Sequence, residues 1–226
     1  CWSVETFKKY PATSFLVLLT TLVFLTMQVV YLGQANTTLA VFNFGGMYGD
    51  LVVHNPNQLW RLITPIFVHI GWEHFLFNSL ALYFVGQLAE NIWGSWRFLL
   101  LYLLSGIMGN IFTLYLTPNV VAAGASTSLF GLFAAIVVLG YFGHNPYLKQ
   151  LGRSYQALIV VNLIFNLFMP DISIAGHLGG IIGGICSAFI LPSFAEGKLF
   201  SLRQRLPILI LYLGLASGIL YLAFNK

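Results

Sequence analysis

The stretch Ser126–Phe142, STSLFGLFAAIVVLGYF, is uncharged and, after its opening hydroxyls, almost wholly apolar. Read as one helix it is ~25 Å long at about 1.5 Å per residue. That falls short of the roughly 30 Å hydrocarbon core of a bilayer. A membrane helix of this length starts below the surface on one side. Residues 117–125 must then dip inward, and backbone at that depth needs protein or water around it. Ser126 would stand at a helix N-terminus inside a wet cavity. Free N–H groups and the positive end of the helix dipole favour a developing negative charge there.

The rest of the chain supports a membrane setting. Of 226 residues, 58% are hydrophobic and 7% charged, against about 25% charged in a soluble domain. Too few charges are present to coat a soluble surface, and the fold class predicted is an all-α polytopic membrane bundle. Apolar runs predict helices at about 13–32, 74–91, 97–117, 126–142, 155–169, 173–191 and 207–224. The connector 33–73 holds Leu59, Trp60, Ile66, Phe67 and Trp72. It is too apolar for a plain solvated loop and is expected partly in the outer interface. With a cytoplasmic N-terminus, Lys8, Lys9, Arg97, Lys149, Arg153, Lys198, Arg203 and Arg205 fall inside, and only Arg61 and Lys226 outside. That orientation is the one predicted, and an odd number of spans leaves the C-terminus outside.

Two cysteines make no disulfide framework. Cys186 reads as a small core residue. Cys1 stands where a start methionine is expected, so a trimmed N-terminus is predicted. The net charge of +4 is small, and no basic stripe is interleaved with polar residues, so nucleic acid is not an expected partner.

Polar groups within a bilayer mark functional sites. In the predicted orientation the second, fourth and sixth helices all start at the outer face. His74 and Asn78 lie in the first turns of the second, Ser126 opens the fourth, and His177 lies near the start of the sixth. A serine, two histidines and an asparagine thus converge at similar depth. Gly176, Gly180 and Gly184 recur every fourth residue, a smooth stripe that permits close helix approach. Gly131 and Gly140 could receive it on the fourth helix. Close approach is what a Ser–His hydrogen bond between two helices requires.

These residues resemble the rhomboid family. Gly124-Ala125-Ser126 followed by Gly131 is similar to its nucleophile motif, and Ala175-Gly176-His177 with Gly180 and Gly184 to its base helix. His74-Phe75-Leu76-Phe77-Asn78 resembles its His-x-x-x-Asn element, Trp60-Arg61 the pair of its first loop, and Gly86, Glu90 and Gly94 its Gly-x-x-x-Glu-x-x-x-Gly pattern. The elements follow the family's order. The resemblance implies a six-helix core, residues 13–192, after a cytoplasmic segment 1–12. A cytoplasmic loop and a seventh transmembrane helix follow over 193–226. It implies an intramembrane serine endopeptidase cutting single-span membrane proteins near the outer face; the short loops and compact core suggest a bacterial plasma membrane, with an organelle membrane as the alternative. Ser126 and His177 would form a dyad without an acid. His74 and Asn78 would bind the oxyanion together with the Ser126 N–H. No cofactor is implied. One departure stands out: the residue after the nucleophile is usually Gly and here is Thr127, whose side chain is expected to narrow a substrate pocket.

Other readings were weighed against this one. Glu90 is expected to fix loop structure through Arg97 or backbone donors, and Arg61 to be structural. His69 reads as a local loop residue, His54 and His144 as ordinary loop residues, and Asn162 and Asn166 as interhelical hydrogen bonders. Three histidines near the outer face could hold zinc. No His-Glu-x-x-His occurs, however, and no carboxylate falls at ligand spacing on the same helix, so no metal is expected. A catalytically inactive rhomboid-like protein that binds membrane clients is the principal alternative. A small transporter predicts inverted repeats between the halves, and none is evident.

Overall fold

At the centre of the molecule lies a helix that is buried along nearly its whole length, α7 (Ser126–Phe142). In this computed structural model, which describes residues 4–168, 173–197 and 199–226, the other helices are arranged around it. They are α1 (Val4–Lys9), α2 (Pro11–Val30), α3 (Thr38–Asn43), α4 (Gly49–His54), α5 (Gly71–Trp93), α6 (Ser95–Leu116), α8 (Pro146–Asn166), α9 (Ile174–Ile190) and α10 (Leu202–Phe224). Among the described residues there is no strand, only an isolated antiparallel bridge between Met47 and Ala122. Helices α2, α6 and α10 are long and apolar enough to cross a membrane; α7 and α9 are shorter apolar helices.

The burial pattern is that of a membrane bundle. Phe15, Leu18, Leu22 and Leu25 on α2, Phe77 and Phe84 on α5, and Ile210 and Leu213 on α10 all face outward. Apolar surface on this scale is not stable in water and suits lipid.

Glycine sets how closely the helices pack. A Cβ on Gly180 would overlap the Thr127 carbonyl, and one on Gly184 the Gly131 carbonyl. The Gly176–Gly184 stripe therefore lies directly against α7. Gly179 and Gly183 form a second smooth face, toward α6. A Cβ on Gly179 would sit 2.7 Å from the Met108 carbonyl oxygen, and one on Gly183 2.9 Å from the Ser105 Cα. So α9 is wedged between α6 and α7 on two glycine faces. Of the two glycines expected to receive the stripe, Gly131 does. Gly140 instead packs against α8, where its Cβ would lie 2.6 Å from the Leu148 carbonyl oxygen and 2.9 Å from the Gly152 Cα.

Some boundaries differ from the sequence expectation. Helix α8 starts at Pro146, well before 155, and its early turns carry Lys149, Gln150 and Arg153. Helix α10 starts at Leu202, before 207, and runs through Pro207. The connector 33–73 is not a loop: it holds α3, α4 and 3₁₀ turns at Pro56–Leu62 and Thr64–Phe67. The expected end of a helix at 169, the charge of Lys198 and the reading of Cys1 fall outside the described residues.

Specific polar contacts tie the elements together. The Glu90 carboxylate accepts from the Ala12 and Thr13 N–H groups at 3.0 and 2.8 Å and from the Thr13 hydroxyl at 2.7 Å. An anion thus meets the unsatisfied donors at the start of α2. The backbone-donor reading of Glu90 matches these bonds. Arg97 lies elsewhere, over the Phe194 ring. The Glu196 carboxylate likewise accepts from the His144 and Asn145 N–H groups in the turn between α7 and α8. The Tyr212 hydroxyl donates to the Leu104 carbonyl at 2.8 Å and fastens α10 to α6.

Candidate active site

Helices α5, α7 and α9 bring their N-terminal turns together. The His177 Nε2 lies 2.9 Å from the Ser126 Oγ. The imidazole is held in this position on two sides. The Phe130 ring, one turn along α7 from Ser126, stacks on it at 4.1 Å between centroids and 18° between planes. The Asn166 side chain, at the end of α8, contacts Nδ1 at 2.6 Å. His177 is 5% exposed. Close approach of the backbones makes this contact possible, because the small faces of Gly180 and Gly184 let α9 rest on α7.

The turn that leads into Ser126 is held by residues distant in sequence. Gly124 has φ +132°, a conformation that side chains rarely adopt, and its N–H donates to the Pro65 carbonyl at 2.9 Å. A Cβ there would also strike the His74 ring, 2.6 Å from Cε1. Only glycine therefore lets His74 approach this backbone. Ala125 is the N-cap of α7, and its N–H donates to the Nε2 of His69 at 3.2 Å. The N–H groups of Ser126, Thr127 and Ser128 follow it in the first turn, where no carbonyl one turn back in the helix can accept them. They form a cluster of donors beside the Ser126 hydroxyl.

His74 accepts at Nδ1 from the Ile70 N–H at 3.2 Å. A neutral imidazole with Nδ1 so occupied carries its proton on Nε2. That edge faces Gly124, so His74 presents a donor to the Gly124–Ser126 turn. Asn78 is buried, and its amide donates to the His74 carbonyl at 2.8 Å, within its own helix. The structure thus brings Ser126, His177 and His74 to one place, while the observed partner of Asn78 is the backbone of the His74 turn.

His69 is fully buried, and burial pushes its imidazole down to about 3, with the neighbouring His74 acting in the same direction. It stays neutral, as an acceptor for the Ala125 N–H requires. Sequence reasoning placed His69 in a local loop. Its partner is 56 positions away, and no pattern in the sequence marks that pairing. Thr127 also corrects an expectation. Its side chain points between α6 and α9, into space left by Gly109 and Gly176, and does not narrow a pocket beside Ser126.

Trp60 and Arg61 organise the first loop. Arg61 donates to the Phe42 and Gly46 carbonyls at 2.8 and 2.7 Å and to the Gln58 side chain at 2.9 Å. Its guanidinium lies 4.5 Å from the Phe42 and Trp60 rings. This knits α3 to the 3₁₀ turn at Pro56–Leu62. The Leu62 carbonyl accepts from Asn110 at 2.9 Å, which anchors the loop on α6.

Known proteins share sequence with this chain. The Rhomboid domain family model matches residues 56–194. The chain is similar to Rhomboid protease GluP of Bacillus subtilis, 35% identical over 86% of this chain and 37% of that protein. It is 31% identical to Rhomboid-like protease 3 of Toxoplasma gondii over 57% of this chain and 50% of that protein. It is 28% identical to Inactive RHOMBOID-like protein 8 of Arabidopsis thaliana over 75% of this chain and 50% of that protein. The chain thus spans half or less of the length of these relatives. With the family model matching residues 56–194, more than half of the chain, the chain belongs to the rhomboid family.

Proposed function

We propose that the chain is an intramembrane serine endopeptidase in which Ser126 is the nucleophile and His177 the general base. The observation that carries this reading is the 2.9 Å contact between the His177 Nε2 and the Ser126 Oγ at the start of a buried helix. His177 takes the hydroxyl proton as Ser126 attacks the scissile carbonyl, then gives it to the leaving amine. Water completes the cycle by hydrolysing the acyl-enzyme. The oxyanion is met by the Ser126 N–H, which the helix leaves unsatisfied, and by the Nε2–H of His74. Asn78 supports that donor through the His74 backbone. Single-span membrane proteins with easily unwound helices are the substrates proposed, because a protease must act on extended backbone. A cytoplasmic N-terminus with cleavage near the outer face is part of the same proposal and rests on the Lys and Arg distribution; a bacterial plasma membrane is proposed from the short loops and compact core.

One relative carries the word inactive in its name, so a client-binding role without catalysis is the rival. An assembled Ser–His pair favours hydrolysis over it. The test is cleavage of a single-span model substrate by the purified chain in bilayers. Ser126→Ala and His177→Ala should each abolish cleavage while the protein stays folded; substantial activity in either variant refutes the assignment.

A further inference from the structure

We propose that Asn166 is a positioning residue that turns the Ser126–His177 pair into a triad, by accepting a hydrogen bond from the Nδ1–H of His177 through its side-chain oxygen. This rests on the dyad reading above. A neutral imidazole carries one proton. For Nε2 to accept the Ser126 proton, that proton must sit on Nδ1, and a buried Nδ1–H needs an acceptor. Among the described residues, Asn166 is in contact with it, at 2.6 Å. That separation is short for a bond between two nitrogens and closer to the N–H···O range. An amide presents either its nitrogen or its oxygen by a half-turn about its last torsion. With the oxygen facing Nδ1, the base tautomer is fixed. With the nitrogen facing Nδ1, the ring would carry its proton toward Ser126 and could not act as base.

The surroundings support a dedicated role. Asn166 is 5% exposed and is the last residue of α8. Asn162, one turn earlier, is half-buried and donates to the Leu158 carbonyl of its own helix at 2.8 Å. So of the two asparagines, only Asn166 reaches another helix. Phe130 covers one face of the imidazole and offers no hydrogen-bond acceptor, which leaves the ring edge to Asn166.

The experiment uses a rhodamine fluorophosphonate on the full chain in detergent, with the maximal inactivation rate separated from the apparent affinity. Asn166→Leu keeps the size but removes the acceptor; Asn166→Asp keeps both. The leucine variant should lose about 10- to 100-fold in maximal rate, part of the roughly 10²–10⁴ that a positioned base contributes, with affinity within about 2-fold. The aspartate variant should recover most of the rate. A leucine variant at the wild-type rate, a change in affinity alone, or an aspartate variant as slow as the leucine one overturns the inference. If the leucine variant does not fold, the aspartate variant together with Asn166→Ala decides the matter by the same criteria. Ser126→Ala is the control. If it is still labelled, the dyad reading falls and this inference with it. If it is unlabelled while Asn166→Leu reacts normally, only this inference falls.

Discussion

The His74 and His69 rings lie 5.2 Å apart, centroid to centroid, beside the Gly124–Ser126 turn and have different partners. In the proposed mechanism His74 offers its Nε2 proton where negative charge develops, a role confined mainly to the transition state. His74→Ala should lower kcat by about 10²–10³, the usual cost of losing one oxyanion donor, with KM little changed. Asn78→Ala should show the same split but a smaller loss, because its amide is already bonded to the His74 carbonyl. A raised KM with kcat intact would assign the pair to substrate binding. His69 holds the turn itself. Its folded-state value of about 3 lies below the ordinary 6.5, so the unfolded chain binds more protons between those limits. The contribution of His69 to stability is therefore complete above about pH 6.5 and declines as pH falls toward 3. Thermal melts at pH 7.5 and 5 should show the loss, and His69→Gln should shrink the difference between them. Ser126 and His177, which the structure brings within 2.9 Å, stood out in the sequence because they sit in short local motifs. The role of His69 did not, because an acceptor for one N–H leaves no pattern when its partner is 56 positions away.

At the scale of elements, the apolar runs revealed the seven long helices, but two starts were missed. Lys149, Gln150 and Arg153 read as loop, yet they form the first turns of α8; a helix can extend beyond its apolar portion, and hydropathy does not mark that extension. Pro207 read as a boundary, yet α10 passes through it. The glycine stripe was legible as a repeat, but its neighbours were not. A four-residue period implicated only Gly176, Gly180 and Gly184, and left Gly179 as filler. Both Gly179 and Gly180 face backbone carbonyls at close range. Gly180→Val and Gly179→Val should therefore both be severe, separating α9 from α7 and from α6 respectively. Overpacking typically costs about 1–3 kcal/mol, and contact with backbone leaves little room to relax. Gly214→Val on α10 meets nothing within 4 Å and should leave the melting temperature nearly unchanged. Equal tolerance at all three positions would mean that α9 is not wedged as described. Glu90→Ala should also destabilise, by about 3 kcal/mol or more, because it strips acceptors from the start of α2. Loss of melting temperature without a change in kcat per folded molecule is the expected signature.

For the whole molecule, an apolar exterior and a polar cluster at the ends of α5, α7 and α9 together define the account. The proposed orientation predicts that a reporter fused after Lys226 reads as extracytoplasmic and one in the turn 143–145 as cytoplasmic; both on one side would contradict the span count. The class of the bundle followed from composition. The assembly of its site depends on which helices touch, and that emerges only when the glycine faces of α9 are seated between α6 and α7. The central claim is that this assembly makes one serine reactive. The chain holds other hydroxyls close by, notably the buried Ser128, so the site of reaction is informative. The most direct measurement is peptide mapping by mass spectrometry after fluorophosphonate treatment of the folded full chain in bilayers. An adduct should form on Ser126 alone and be absent in His177→Ala. An adduct on another serine, or one on Ser126 that forms equally fast without His177, would contradict that claim.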